Sequence, residues 1–210
     1  MNDLNFPTTK IGIVCQITIA RQGFLLHKMS SDELKKGVRR KMRAQNRSLT
    51  PDERQSASER LCERLATIID EAGVQCVALY AALADEPESR PLIESLYQKG
   101  VRVALPRVEG EVMRFFYFDP ERVASGAFGI EEPTFEAELC RPDEIELMVV
   151  PGVAFTPRGE RLGRGRGYYD KYLAQSDFRG RTVGVCYRHQ LCESLPTEPH
   201  DIKMEQVVTS

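Results

Sequence analysis

The residues best suited to chemistry lie in one glycine–arginine segment, residues 159–173, which reads GERLGRGRGYYDKYL. Its glycines allow the backbone to approach a ligand closely and to adopt positive φ. Arg164 and Arg166 alternate with those glycines, and each could donate paired hydrogen bonds to phosphate oxygens. A helical pattern begins at Tyr168, and a helix N-terminus favours a phosphate group. The segment therefore predicts a phosphate site in which Asp170, in the first helical turn, could hold Mg²⁺.

This segment matches neither of two standard nucleotide-binding motifs. The chain lacks the GxxxxGK[ST] pattern, and Gly163, Gly165 and Gly167 do not have the spacing of GxGxxG. A charged, flexible loop that caps a helix is the alternative explanation. The ordered set of glycine, arginine, tyrosine and aspartate favours a phosphate site of another kind.

The elements around the segment predict an α/β fold. An apolar run at residues 145–150 precedes it and a helix follows from Tyr168, which gives the order strand, loop, helix. Five further runs predict strands, at residues 74–82, 101–105, 112–118, 182–187 and 207–208. A helix at residues 91–98 separates the first two of these strands and predicts a parallel βαβ unit. We expect one compact sheet with the N-terminal helices packed on it.

Residues 32–47 predict a very basic helix, with Ser31 or Asp32 as its N-cap. Its apolar stripe is narrow and consists of Leu34, Val38, Met42 and Gln45. The basic side chains are Lys35, Lys36, Arg39, Arg40, Lys41, Arg43 and Arg47. A solvated helix face, a phosphate-binding arm and an RNA-binding patch all remain open as explanations. No aromatic residue interleaves the basic run, so base stacking lacks support.

A second helix is predicted at residues 51–72 by clear signals at both ends. Thr50 can cap it, Pro51 suits the first helical position, and Glu53 completes a capping box. Gly73 suits the left-handed conformation that ends many helices.

Composition predicts a single α/β domain with a sizeable core. The chain has 210 residues, of which 41% are hydrophobic and 29% charged. Its net charge of −2 argues against a general affinity for nucleic acid. No apolar run approaches the roughly 18 residues that a membrane helix needs. Six cysteines show neither a CxxC pair nor zinc spacing, which fits a reduced, cytoplasmic setting.

The first 28 residues differ from the rest of the chain. Residues 11–20 are apolar, but no basic region leads into them and no typical cleavage site follows. Met29, followed by Ser-Ser-Asp-Glu, resembles a second start. We expect residues 1–28 to be an extension outside the fold, with an extra strand as the alternative, and residues 29–210 to form a single domain.

The predicted topology brings distant loops to one edge of the sheet. Ligands of parallel sheets bind beyond the carboxyl ends of the strands. This rule places the loops after Tyr80, Leu105, Val150 and Tyr187 around one cleft. It predicts that six side chains face a common space, namely Glu86, Arg107, Arg164, Arg166, Asp170 and Asp201.

Taken in order, these motifs resemble the 5-formyltetrahydrofolate cyclo-ligase family, also called methenyltetrahydrofolate synthetase. The core RLGRGRGYYD at residues 161–170 carries most of the resemblance. Weaker blocks are the basic helix with its SLTPDER sequel, the Asp85-Glu86 pair, the GIEEP segment at residues 129–133, and Asp201. The resemblance covers about residues 33–208. It implies a three-layer α/β/α fold with a mostly parallel sheet, like that of sugar-phosphate isomerases and CoA transferases.

The resemblance also implies a reaction. Family members convert 5-formyltetrahydrofolate to 5,10-methenyltetrahydrofolate with ATP and Mg²⁺, and they release ADP and phosphate. ATP phosphorylates the formyl oxygen, and N10 of the folate then attacks the activated carbon. Such chemistry requires mainly positioning and charge stabilisation from the protein. The implied partners are these two small molecules, and we expect a cytoplasmic monomer with no nucleic-acid or membrane partner.

The family motifs imply roles for individual residues. Arg164 and Arg166 match the catalytic clamp on the transferring phosphoryl group, while Asp170 and Asp201 match metal-linked aspartates. The implied ATP-binding residues are Lys35, Arg39, Arg161, Leu162, Gly163, Arg164, Gly165, Arg166, Gly167, Tyr168 and Tyr169. The implied substrate-binding residues are Arg39, Ala81, Glu86, Arg164, Gly165, Arg166, Gly167 and Tyr168.

Three departures from the family pattern limit this transfer. Thr156 stands where many members have aspartate, so that carboxylate is absent here. Arg166 occupies a position often held by lysine or glycine. Lys36 adjoins Lys35, so either could be the ATP lysine.

The chemistry requires no imidazole and predicts a structural or solvated place for each histidine, His27, His189 and His200. A folate- or nucleotide-binding regulatory relative and an RNA-binding accessory protein remain the alternatives.

Overall fold

A computed structural model describes residues 30–126 and 129–210, so the predicted extension at residues 1–28 and Phe128 lie outside the described residues. The helices are α1 (Ser31–Ser48), α2 (Pro51–Ala72), α3 (Arg90–Gln98) and α4 (Tyr168–Leu173). The strands are β1 (Cys76–Ala78), β2 (Arg102–Glu109), β3 (Val112–Tyr117), β4 (Val123–Ser125), β5 (Glu131–Pro133), β6 (Leu139–Cys140), β7 (Leu147–Pro151), β8 (Ala154–Phe155), β9 (Arg161–Leu162), β10 (Arg181–Cys186) and β11 (Gln206–Thr209).

Seven strands form the central sheet, in the order β11-β10-β7-β1-β2-β3-β6. The first five strands of that order are parallel to their neighbours. The pairs β2-β3 and β3-β6 are antiparallel. Two small antiparallel pairs, β4-β5 and β8-β9, complete the strands. The predicted α/β fold with a mostly parallel sheet is confirmed.

Both faces of the sheet are covered, which gives the three predicted layers. Successive strand residues point to opposite faces, and in β1 Val77 joins one core cluster while Ala78 joins the other. Leu61 of α2 and Leu96 of α3 pack on the Val77 face. Tyr172 of α4 packs on the opposite face, with its ring 4.8 Å from that of Phe115. None of the described helices combines the length and apolarity needed to cross a membrane.

The first helix begins one residue earlier than predicted, because Ser30 and neither Ser31 nor Asp32 is its N-cap. The Ser30 Oγ accepts a hydrogen bond from the Glu33 N–H at 3.2 Å, and the Glu33 carboxylate accepts one from the Ser30 N–H at 2.9 Å. Only Ser30 has a glutamate three residues later, as a capping box requires. The capping box of Thr50 and the left-handed cap of α2 are confirmed.

The prediction of a loop after Leu105 is wrong, because β2 continues to Glu109 and forms a hairpin with β3. Gly110, with φ of 63°, supplies the turn. Arg107 therefore lies within a strand, where its guanidinium packs 3.9 Å from the ring of Phe116. Within the GIEEP segment, residues 131–133 form β5, which pairs with β4.

Candidate active site

The glycine loop (residues 163–167) connects β9 with α4, and α1 lies against it. The Arg39 Nε donates a hydrogen bond to the Gly163 carbonyl at 2.9 Å. Gly165 has φ of 104°, and a Cβ there would lie 3.4 Å from the Arg39 Cζ. Gly167 caps α4 with φ of 68°. Glycine is required at both positions because side chains strain this backbone conformation, and its small size admits the Arg39 guanidinium.

Arg164 extends from this loop to two carboxylates in the acidic loop (residues 83–88), which follows β1. Its Nε donates to the Glu86 Oε1 at 2.9 Å, and its Nη2 lies 2.5 Å from the Asp85 Oδ1. The structure thus joins two of the predicted cleft residues, Arg164 and Glu86, in one ion pair.

The two carboxylates of this cluster differ in their affinity for protons. Burial raises the pKa of Glu86, although the charge of Arg164 acts in the opposite direction. Burial also opposes ionisation of Asp85, but hydrogen bonding and charge from Arg164 outweigh it and lower the pKa of Asp85. Of the two carboxyl groups that bind Arg164, Asp85 therefore ionises more readily, and Glu86 has the higher affinity for a proton.

Arg166 differs from Arg164 in having no counter-ion among the described residues. Its side chain is exposed, and it makes no hydrogen bond or ion pair with any other described residue. A guanidinium without a protein carboxylate can give all of its paired donors to an incoming anion. Of the two predicted catalytic arginines, Arg166 is therefore the one available to an anionic ligand.

The N-terminal half of α1 contributes a second charged cluster. The Lys35 Nζ lies 2.7 Å from both the Glu198 Oε2 and the Asp201 Oδ2. Burial alone would lower the pKa of Lys35, but these two hydrogen bonds raise it. Its side chain is 7% exposed, whereas that of Lys36 is 69% exposed and pairs with Asp32. The inward-facing lysine is thus Lys35.

Both predicted metal-linked aspartates are associated with one short segment, residues 198–202: Asp201 belongs to it, and Asp170 of α4 contacts its Ile202 N–H. The Asp170 Oδ2 binds the Arg161 Nη2 at 2.8 Å, and its Oδ1 accepts the Ile202 N–H at 3.3 Å. Arg161 has a side chain only 3% exposed, so it requires this counter-ion. The ligand atoms of Glu198, His200 and Asp201 lie within 4.8 Å of one another. This second group could hold a cation.

The β8-β9 turn contacts the chain just after this segment, at Met204. Gly159 has φ of 86°, and a Cβ there would lie 2.0 Å from the Met204 carbonyl oxygen. The Met204 N–H donates to the Gly159 carbonyl at 2.8 Å. Thr156 is fully buried and donates its hydroxyl to the Glu160 carboxylate at 2.9 Å. Position 156 therefore carries a hydroxyl that stabilises this turn.

The remaining predicted residues lie at the margins of these clusters. Leu162 is buried, and Ala81 lies in the half-buried stretch between β1 and the acidic loop. The Tyr168 hydroxyl donates to the Gly110 carbonyl at 3.1 Å, on the β2-β3 hairpin. The Tyr169 ring lies 5.6 Å from the Arg161 guanidinium. Arg107, in contrast, bonds the Thr134 carbonyl and Glu109, and it contacts none of these clusters.

Asn46 and Tyr187 are among the residues that contact the acidic loop and that the sequence reasoning missed. Asn46 donates to the Asp85 carbonyl at 2.8 Å, and the Tyr187 hydroxyl donates to the Glu86 carbonyl at 3.0 Å. A signal for Asn46 existed, because it lies four residues after Met42 on the apolar stripe of α1. Asn46 is buried there, whereas the predicted Gln45 is only half-buried.

Comparisons with known proteins show which family this chain resembles. Residues 31–210 match the 5-formyltetrahydrofolate cyclo-ligase family. A 5-formyltetrahydrofolate cyclo-ligase of Escherichia coli (strain K12) is 30% identical over 174 residues, which cover 80% of this chain and 96% of the relative. The NMR structure of Aquifex aeolicus 5,10-methenyltetrahydrofolate synthetase has a TM-score of 0.75 and 36% identity, and the match covers 84% of this chain and 89% of that one. A Mycoplasma pneumoniae 5,10-methenyltetrahydrofolate synthetase, with a TM-score of 0.67 and 22% identity over 82% of this chain and 96% of its own, shares the fold.

Proposed function

Because the chain belongs to the 5-formyltetrahydrofolate cyclo-ligase family, we propose that its glycine loop, α1 and acidic loop together convert 5-formyltetrahydrofolate to 5,10-methenyltetrahydrofolate with ATP. The observation that carries the proposal is the meeting of Arg39, Arg164 and Glu86 at the glycine loop. These residues come from three separate parts of the chain. They combine donors for phosphate with a buried carboxylate that suits the N–H groups of a pterin.

The proposed reaction has two stages. The formyl oxygen attacks the γ-phosphorus of ATP, and the bond to the β-bridging oxygen breaks to release ADP. The resulting iminium phosphate is attacked at its carbon by N10, which loses its proton. The carbon–oxygen bond then breaks, and phosphate departs with the former formyl oxygen. Phosphoryl transfer of this kind depends on positioning and on stabilisation of charge at the phosphoryl oxygens.

We assign different tasks to the two arginines of the glycine loop. Arg166 has no counter-ion among the described residues and contacts the transferring phosphoryl group. Arg164 is bound to Asp85 and Glu86, so it orients Glu86 and adds positive charge beside the phosphates. Lys35 and Arg39 lie along the same helix and serve the ATP side of the site. Support for these assignments comes from their contacts and from the family motif.

The folate side of the proposed site consists of Glu86, Ala81 and Tyr168. The Glu86 carboxylate is buried and is held by Arg164 and by the Leu83 N–H at 3.1 Å. Burial raises its pKa, and the charge of Arg164 opposes this shift and favours the ionised form that accepts pterin N–H groups. Tyr168 and Ala81 supply apolar surface at the edges of this space.

We propose that Mg²⁺ accompanies ATP and is held through Asp201, with Glu198 as a second oxygen donor. Carboxylate oxygens are the ligands that Mg²⁺ prefers, and Mg²⁺ would share these two carboxylates with the Lys35 ammonium, which lies 2.7 Å from both. Bound Mg²⁺ would neutralise charge on the phosphate oxygens. Asp170 stays a predicted ligand, and its role in the metal site requires that it share its oxygens with Arg161 and the Ile202 N–H.

We further propose that residues 29–210 act as one domain and as a monomer in the cytoplasm, without a nucleic-acid partner. The family match from residue 31 to residue 210 supports the domain boundary. The described cysteines Cys62, Cys76, Cys140 and Cys186 are thiols, as a reducing compartment would maintain.

The direct test is to mix the protein with 5-formyltetrahydrofolate, ATP and Mg²⁺ and to follow methenyltetrahydrofolate by its near-ultraviolet absorbance. We expect product only when ATP is present. Folded protein that yields no product under these conditions would refute the proposed function. Circular dichroism of the same sample establishes that the protein is folded.

A further inference from the structure

The acidic loop is held in place by side chains rather than by a strand ladder. Five consecutive carbonyl groups, those of residues 84–88, each accept a hydrogen bond from a side chain. In that order the donors are Arg54 at 3.1 Å, Asn46 at 2.8 Å, Tyr187 at 3.0 Å, Tyr80 at 2.8 Å and Cys62 at 3.3 Å. Backbone groups of an irregular loop require such partners when they are removed from water. The positions of Asp85 and Glu86 thus depend on these donors.

Two of the five donors bind the backbone carbonyls of the same two residues whose carboxylates contact Arg164. Asn46 binds the Asp85 carbonyl, and Tyr187 binds the Glu86 carbonyl. We infer that Asn46 and Tyr187 are positioning residues, which set the geometry of the Arg164–Glu86 pair for the folate. This inference rests on the proposed function and assigns no direct contact with substrate to either residue.

Asn46 is fixed in a single orientation by His189. Its Nδ2 donates to Asp85, so its Oδ1 must accept the hydrogen bond from the His189 Nε2, at 2.6 Å. The His189 Nε2 therefore carries a proton. The backbone carbonyl of Asn46 also accepts a hydrogen bond from the Arg54 guanidinium. Asn46 itself is buried. Because both ends of the Asn46 side-chain amide are hydrogen-bonded, the position of α1 determines the position of the Asp85 carbonyl in the acidic loop.

Tyr187 reaches the same loop from the end of β10. The residue is 2% exposed, and its ring stacks on that of His189 with centroids 5.8 Å apart. Because α1 also carries Arg39, the Asn46 contact connects the phosphate side of the site with the folate side. A shift of the acidic loop by a fraction of an ångström would misplace the Glu86 carboxylate, and misplacement of about 1 Å can cost 10²-fold in rate.

The test uses the full chain with Asn46→Leu and Tyr187→Phe, which remove the donors and keep most of the side-chain volume. We expect kcat/KM for 5-formyltetrahydrofolate to fall between about 10-fold and 100-fold, while KM for ATP changes less than threefold. The matched control is Tyr172→Phe. The Tyr172 hydroxyl is buried and has no hydrogen-bond partner among the described residues, so its removal should leave kcat/KM unchanged.

A double-mutant cycle separates positioning from general stabilisation. If Tyr187 acts through the Arg164–Glu86 pair, Tyr187→Phe should have little further effect in an Arg164→Lys background. Full additivity with Arg164→Lys, or a kcat/KM equal to that of Tyr172→Phe, would overturn the inference. Tyr187→Phe changes one atom, so it remains informative if Asn46→Leu fails to fold. Wild-type protein without turnover would instead refute the proposed function itself.

Discussion

Arg164 and Glu86 are 78 residues apart in the sequence, yet the Arg164 Nε lies 2.9 Å from the Glu86 Oε1. The contact joins the loop expected to bind phosphate with the loop expected to bind the pterin. Because Asp85 also binds this guanidinium, Arg164 enters the reaction already paired with two carboxylates. Arg166 is exposed and makes no ion pair with another described residue. This asymmetry distinguishes the two arginines in ways that experiments can measure.

Replacement of Arg166 should impair turnover without affecting stability. Arg166→Ala is expected to lower kcat about 10²-fold, because it removes a donor that stabilises charge in the phosphoryl-transfer transition state. The free energy of unfolding should not change, since the side chain is exposed. Kinetic assays and urea titrations on the same preparation measure both quantities.

Arg164→Ala is the matched comparison for this prediction. We expect a similar or larger loss of kcat together with a loss of stability of a few kcal/mol, because Glu86 remains buried without its counter-ion. The double variant Arg164→Ala with Glu86→Gln should recover part of that stability. Equal stability of Arg164→Ala and Arg166→Ala would contradict this view of the pair.

Substitution of Gly159 should unfold the turn that supports residues 198–204. Gly159→Ala adds a Cβ that would lie 2.0 Å from the Met204 carbonyl oxygen, at φ of 86°. Gly73→Ala is the control, because Gly73 also has positive φ but no atom lies within 4 Å of its added Cβ. We expect Gly73→Ala to cost about 1 kcal/mol, and Gly159→Ala to cost clearly more. Similar unfolding midpoints for the two variants would show that the turn can shift to accommodate the added methyl group, and would contradict this prediction.

His189 should make stability depend on pH. Burial lowers the pKa of His189 below 6.5, so the unfolded chain takes up this proton more readily than the folded protein. The His189 contribution to stability is therefore present above pH 6.5 and is lost as the pH falls through the folded-state pKa. The free energy of unfolding should fall less in His189→Gln than in wild type between about pH 7.5 and pH 5.5.

The glutamine variant keeps an N–H donor for Asn46 and removes only the titration. Urea midpoints at several pH values provide the comparison. Parallel pH profiles for the two proteins would exclude His189 as a source of the pH dependence. The charged side chains near His189 on the same surface include Asp52, Glu53, Arg60 and Arg188, and they are identical in both proteins.

Removal of residues 1–28 should leave kcat and the unfolding midpoint unchanged. The capping box of α1 begins at Ser30, and the family match begins at residue 31. Ser30→Ala in the shortened protein should then cost about 1 kcal/mol, as expected for loss of an N-cap. A collapse of solubility or rate on removal of residues 1–28 would show that they belong to the fold.

Local sequence signals were sufficient to predict the scaffold of the site. The β8-β9 pair before the glycine loop was not predicted, but the helix after the loop begins at Tyr168 as expected and the Thr50–Glu53 capping box is present. Such features depend on residues close together in the chain. Ser30 also follows this rule, since the correct capping box was visible in the sequence although Ser31 and Asp32 were preferred.

Features that depend on distant partners could not be predicted in the same way. The extension of β2 to Glu109 depends on its pairing with β3, and it moves Arg107 away from the expected cleft. The apolar stripe of α1 indicates that Asn46 is buried, but no motif identifies the partners of Asn46 and Tyr187, because each side chain binds a carbonyl group of the acidic loop. Every residue has a backbone carbonyl, so the sequence does not indicate which carbonyl a given side chain will bind.

The most direct test of the proposed reaction follows the formyl oxygen. The protein is given 5-formyltetrahydrofolate labelled with ¹⁸O in the formyl group, together with ATP and Mg²⁺, and the released phosphate is analysed by mass spectrometry. If the formyl oxygen attacks the γ-phosphorus of ATP, each phosphate should carry one ¹⁸O atom for each methenyltetrahydrofolate formed. Product accompanied by unlabelled phosphate, or no product from folded protein, would contradict the account.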